Sequence, residues 1–221
     1  MIEEAKMRFF NTVIILLMLI TFIGCGDKDE AAQETAAIPQ IDLHSAVVTD
    51  NFDVIRQHIA ASTDLNVLEP SHASTPLITA AALGKTEAAK MLVDAGADLN
   101  YQNADGSTAL HTAAAFGRTD IAKILIDAGA DLDLQNNEGA TALHAAAFLC
   151  RPEIVEALLE KGADKTIKNK TGQTAYQTMI VPFNDVKFVY DAIGAGLKPL
   201  GVVLDYDHIQ KTRPQVAAML K

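Results

Sequence analysis

The chain is poor in most of what catalysis or nucleic-acid binding would require. No Cys/His pair has the spacing of a metal site. Neither a glycine-rich phosphate loop nor a serine nucleophile elbow occurs. Two cysteines in 221 residues, Cys25 and Cys150, are too few for a disulfide framework. Cationic charge is also scarce. Lys and Arg number 18 against 28 Asp and Glu, leaving a formal charge of -10. That balance speaks against nucleic acid as a partner. It would steer basic partners toward the chain, besides keeping it soluble. The longest apolar run, residues 13–23, falls short of the about 20 residues that a membrane span needs. No enzyme activity, cofactor or metal is expected.

What the chain does have is repetition. Thr75-Pro76-Leu77-Ile78-Thr79-Ala80, Thr108-Ala109-Leu110-His111-Thr112-Ala113 and Thr141-Ala142-Leu143-His144-Ala145-Ala146 recur every 33 residues. Gly96-Ala97-Asp98, Gly129-Ala130-Asp131 and Gly162-Ala163-Asp164 recur at the same spacing. This period with a T-P-L-H-x-A core resembles the ankyrin-repeat family. The resemblance implies an all-α solenoid of helix-turn-helix units with projecting β-turn fingers. Two degenerate units flank the three good ones. Leu43–Asn66 aligns with 77–100 at a spacing of 34, and Thr174-Ala175-Tyr176 opens the last unit on schedule. The array therefore runs over 41–199, as units 41–73, 74–106, 107–139, 140–172 and 173–199, with atypical ends as usual for repeats. No single unit can bury its apolar face alone.

Local chemistry supports that division. Thr75, Thr108 and Thr141 stand where a helix N-cap is wanted, and Pro76 suits the first helical position. Gly84 and Gly117 allow a left-handed turn after the inner helix. Cys150 takes that place in the fourth unit, so its turn is expected to be built differently. In each outer helix, apolar residues at i, i+1, i+4 and i+5 form one stripe. Asn103, Asn136 and Asn169, each followed three residues later by glycine, suit type I turns at the finger tips. In ankyrin proteins the imidazole at the position of His111 and His144 is a structural hydrogen-bonder.

The apolar run ends in Phe22-Ile23-Gly24-Cys25, which is similar to a bacterial lipobox. The resemblance implies a signal peptide over 1–24 and a diacylated Cys25 as the mature N-terminus. Residues 25–40 then form a flexible acidic tether. By resemblance to lipoprotein sorting in two-membrane bacteria, glycine at 26 implies an outer-membrane lipoprotein facing the periplasm. An uncleaved inner-membrane anchor and an ordinary cleaved signal are the alternatives. With Cys25 lipidated, Cys150 has no partner within the chain. Residues 200–221, with a strand-like Val202-Val203-Leu204 and a helix from Pro214 to Leu220, are expected to cap the stack.

In the ankyrin family, partners bind the concave face made by finger tips and inner helices. Mapped by the period, the candidate contacts are Tyr101, Gln102, Asp105, Ser107, Thr112, Phe116, Leu134, Gln135, Asn137, Glu138, Phe148, Leu149, Lys168 and Lys170. Tyr101, Phe116 and Phe148 are the aromatic anchors among them. The reading is a monomeric, envelope-anchored module that recruits or regulates a partner protein, with inhibition of a basic effector as a narrower form. The alternative is a structural or stress-protection component that self-associates.

Overall fold

Threonine sets the start of the inner helices. The hydroxyls of Thr75, Thr108, Thr141 and Thr174 accept the N–H three residues on, satisfying a donor that the first turn leaves open. In the first unit Asp42 does the same for Ser45. Each helix so started is short, and its alanines face its neighbours. Ala80, Ala81, Ala113, Ala114, Ala146 and Ala147 are all fully buried. The computed structural model describes residues 39–198 and 203–221. The signal segment, Cys25 and nearly all of the tether lie outside those residues, as does Val202.

Regular structure among the described residues is all helical: α1 (Leu43–Val48), α2 (Phe52–Ala60), α3 (Pro76–Leu83), α4 (Thr86–Asp94), α5 (Ala109–Phe116), α6 (Thr119–Asp127), α7 (Ala142–Phe148), α8 (Pro152–Glu160), α9 (Ala175–Ile180), α10 (Phe183–Leu197) and α11 (Tyr206–Met219). The inner row stacks α1, α3, α5, α7 and α9 in order, and the outer row begins α2, α4, α6, α8. Between the rows lies one continuous core, with Ile55, Leu92, Leu125 and Leu158 buried on the outer helices and Leu43, Leu77, Leu110 and Leu143 on the inner ones. Lys90, Lys123 and Glu156 face solvent, as the apolar stripe requires.

The fourth turn departs from expectation. Cys150 adopts φ 53°, the same left-handed conformation as Gly84 at 73° and Gly117 at 66°. Asp50 does so in the first unit at φ 54°. The turn is therefore built alike in all four units, and two of them carry a side chain where it costs about 1–2 kcal/mol. At Cys150 burial of the side chain offsets the cost, since only 1% of the residue is exposed. Asp50 instead pairs with Lys85 of the next unit. Gly117 is needed for a second reason, because a Cβ there would lie 2.8 Å from the Arg151 guanidinium that packs across it.

The C-terminal region also differs from the sequence expectation. Val203 and Leu204 are irregular, and the last helix begins at Tyr206. Pro214 sits inside α11, but both it and Gln210, whose carbonyl it leaves unbonded, are exposed to water. More importantly, α11 continues the outer row. It packs on α8 and pairs with α9 as α8 pairs with α7. The fifth unit thus takes its outer helix from the segment expected only as a cap, and α10 is an insertion between its two helices.

One side chain fastens this closure. Arg213, only 4% exposed, donates through Nη2 to the carbonyls of Thr178, Met179 and Val181 at 3.1, 2.9 and 2.6 Å. These are acceptors that the end of α9 leaves without intrahelical partners. Its Nη1 donates to the Tyr190 hydroxyl at 2.6 Å, and that hydroxyl donates to the Phe148 carbonyl at 2.6 Å. Burial pushes the Tyr190 phenol up to about 12, so it remains a neutral donor. Arg213→Ala should lower stability by roughly 2–4 kcal/mol through lost charged hydrogen bonds. Urea unfolding followed by circular dichroism checks this, and an unchanged midpoint would refute the role.

Candidate functional site

The fingers are rigid because their backbone is satisfied twice over. Asn103 Oδ1 accepts from Asp105 and Ser107 N–H at 3.0 and 2.9 Å, and Asn136 and Asn169 repeat the arrangement. Each finger then bonds to its neighbour. The N–H of Ala104, Asn137 and Lys170 donates to the carbonyl of His72, Asp105 and Glu138, respectively. In the first finger Glu69 takes the asparagine's place. The Ser71 hydroxyl, followed by backbone N–H groups, holds its carboxyl down at about 2.

The imidazoles tie this layer to the helices. His111 Nδ1 accepts from Thr108 N–H at 3.3 Å, and Nε2 donates to the Ala140 carbonyl at 3.0 Å. His144 is bonded in the same way to Thr141 N–H and to the Gln173 carbonyl. Each ring therefore spans from its own helix cap to the base of the next finger, as the family resemblance implies. Asp98, Asp131 and Asp164 are likewise structural; each accepts the N–H two residues on. Cys150 is a poor nucleophile, because burial pushes its thiol up to about 11. Among the described residues no group of three His, Cys, Asp or Glu is placed to hold a metal.

The concave face carries a groove of about 550 Å³. Ala115, Ala140, Ala145, Phe148 and Leu149 line it on the array side. Opposite stand Val181, Val186, Val189 and Ile193. Asn136, Glu138, Asn169, Thr171, Gln173 and Thr178 supply its polar lining. The inserted α10 thus lies over the concave side of the last repeats, where Val186, Val189 and Ile193 are half-buried.

The structure sorts the predicted contacts into groups. Asp105, Glu138, Lys168 and Lys170 are exposed finger residues, and only Glu138 reaches the groove. Gln102, Gln135 and Asn137 are also exposed, yet they are clips between fingers. Gln102 Nε2 donates to the Gly106 and Gln135 carbonyls, Gln135 Nε2 to those of Gly139 and Lys168, and Asn137 Nδ2 to that of Ala104. Ser107 and Leu134 are half-buried, and the Thr112 hydroxyl is spent on the Thr108 carbonyl.

Two of the candidates need correction. Leu149 is 4% exposed and serves as groove floor, not as a free contact. Phe148 is no free anchor, because Tyr190 stacks on its ring at 4.5 Å and 9°. Tyr101 packs partly on the core, and Phe116 is half-buried. Sequence reasoning missed Val186, Val189 and Ile193, whose i, i+3, i+7 spacing marks a helical stripe but gives no sign of folding back onto the array.

A family model of ankyrin repeats, in three copies, matches residues 43–136 and 96–169, together more than half of the chain. The ARF GTPase-activating protein GIT1 of Homo sapiens and that of Mus musculus are each 29% identical to the chain over 105 residues. That stretch is 48% of this chain and 13% of either relative, so the likeness reaches only a small part of those proteins.

Burial lowers the pKa of both His111 and His144 below the usual imidazole value of 6.5. A depressed folded-state pKa contributes stability above the unfolded value, and that stability is lost as pH falls through the folded one. Melting temperature should therefore drop as pH is lowered from about 7.5 toward 5. His144→Asn should cost about 1–2 kcal/mol at pH 7.5 and flatten the decline. A slope equal to that of the unaltered protein would refute this linkage.

Proposed function

The chain belongs to the ankyrin-repeat family, and on that premise we propose that it is a non-enzymatic protein–protein interaction module held at a bacterial envelope. Its concave face recruits or regulates a partner protein. The observation that supports this is the apolar groove on that face, beside fingers bonded to one another through backbone and amide groups. Such a surface is rigid before the partner arrives, so binding loses little to ordering it. Tyr101 and Phe116 add aromatic contact area outside the groove. The formal charge of -10 favours a basic partner, and inhibition of a basic effector is one form that the recruitment takes.

The anchor is the second part of the proposal. The lipobox-like Phe22-Ile23-Gly24-Cys25 is its basis, with Cys25 diacylated, the signal peptide removed, and the array facing the periplasm from the outer membrane. Two acyl chains hold a protein stably where one does not.

Capture after crosslinking in the native envelope tests the surface. Tyr101→Ala/Phe116→Ala should lose at least about 90% of a specific partner while keeping its circular dichroism, since hot-spot aromatics contribute about 2 kcal/mol or more each. Equal capture by the altered and unaltered proteins would place binding elsewhere. Cys25→Ser tests the anchor. It should abolish metabolic incorporation of labelled palmitate and release the chain from the membrane fraction, whereas retained label would overturn lipidation at this site.

A further inference from the structure

Within the fifth repeat, the chain leaves the repeat pattern between α9 and α11 and returns to it. The outer-row position is filled by α11, so the stack closes without α10. What α10 does instead is face the concave side. Tyr190, fully buried, pins it to the array through the Phe148 carbonyl, the Phe148 ring and Arg213. Its aliphatic stripe of Val186, Val189 and Ile193, about 10 Å long, then looks across an open gap of about 550 Å³ toward the fingers. A half-buried aliphatic stripe opposite an apolar floor leaves surface whose burial is favourable.

The chemistry of the gap narrows its occupant. An extended peptide would need free backbone groups to pair with. The finger bases offer none. Ala140 accepts from Asn136 N–H and His111 and donates to Asn136 Oδ1, and Gln173 is committed in the same way to Asn169 and His144. A helix carries its own backbone hydrogen bonds and can lay an apolar ridge beside that of α10. Among the described residues that line the gap, Glu138 is the only Asp, Glu, Lys or Arg. We infer that the gap between α10 and the third and fourth fingers is a docking slot for an amphipathic helix of a partner protein, with an aliphatic face and a Lys or Arg at its border that meets Glu138. This rests on the concave face being the binding surface and names what one part of it takes.

Two labelled synthetic helical peptides test it. They share one leucine/alanine face and differ only in carrying Lys or Glu at the border of that face. Fluorescence anisotropy is read against the full chain in zwitterionic nanodiscs, with empty discs and a scrambled Lys peptide as blanks. The Lys peptide should bind at least about tenfold more tightly than the Glu peptide, a difference of about 1.4 kcal/mol. Val189→Asp should abolish binding, and Glu138→Lys, on the exposed surface, should reverse the preference without disturbing the fold. Binding no better than the scrambled peptide, or binding unaltered in both variants, overturns the slot. If native capture depends on Phe116 but survives Val189→Asp, the concave face stands as the binding surface and the slot does not. If capture ignores both, the binding surface itself is misassigned.

Discussion

Everything in this molecule depends on how closely the inner helices approach one another. Alanines, wholly buried where the helices meet, let each helix come near enough that an imidazole can reach from one unit's cap to the next unit's finger. A larger side chain at those alanine positions would push the units apart. The histidine bridges, the hydrogen bonds between fingers and the buried leucine rows would then be lost together. Stability in such a stack is a sum over neighbouring contacts, so the close approach is a condition on every other interaction.

That constraint explains what could be read in the sequence. Thr108, His111, Ala113 and Gly117 recur because each does one job set by the stacking distance, and a period makes the job visible. The finger asparagines were legible for the same reason. The fifth repeat was not, because an insertion has no period. Nothing in Phe183–Leu197 says that it leaves the outer row, and Pro214 looked like the start of a helix when it lies on the wet side of one. Arg213 gave no local signal either, since its partners are the Tyr190 hydroxyl and three carbonyls more than 30 residues away.

The candidate site was legible in outline and wrong in detail for a related reason. Mapping the family's concave face by period points to Glu138, Phe148 and Leu149, which line the groove. It cannot say that Gln102 and Gln135 are consumed as clips, or that the ring of Phe148 is covered. Those facts depend on side-chain pairing between units and on a helix that returns from elsewhere. Finger tips in this chain are therefore braced scaffolding as well as surface, and the apolar contact area has moved toward α10.

Because Arg213 lies on α11 and ties that helix to the end of α9, the fifth unit is finished only when α11 is in place. A newly made chain must hold α9 and the face of α8 uncovered until α11 has been made. That interval exposes apolar surface to chaperones and proteases. A chain cut ahead of α11 would remain in that state for its whole lifetime.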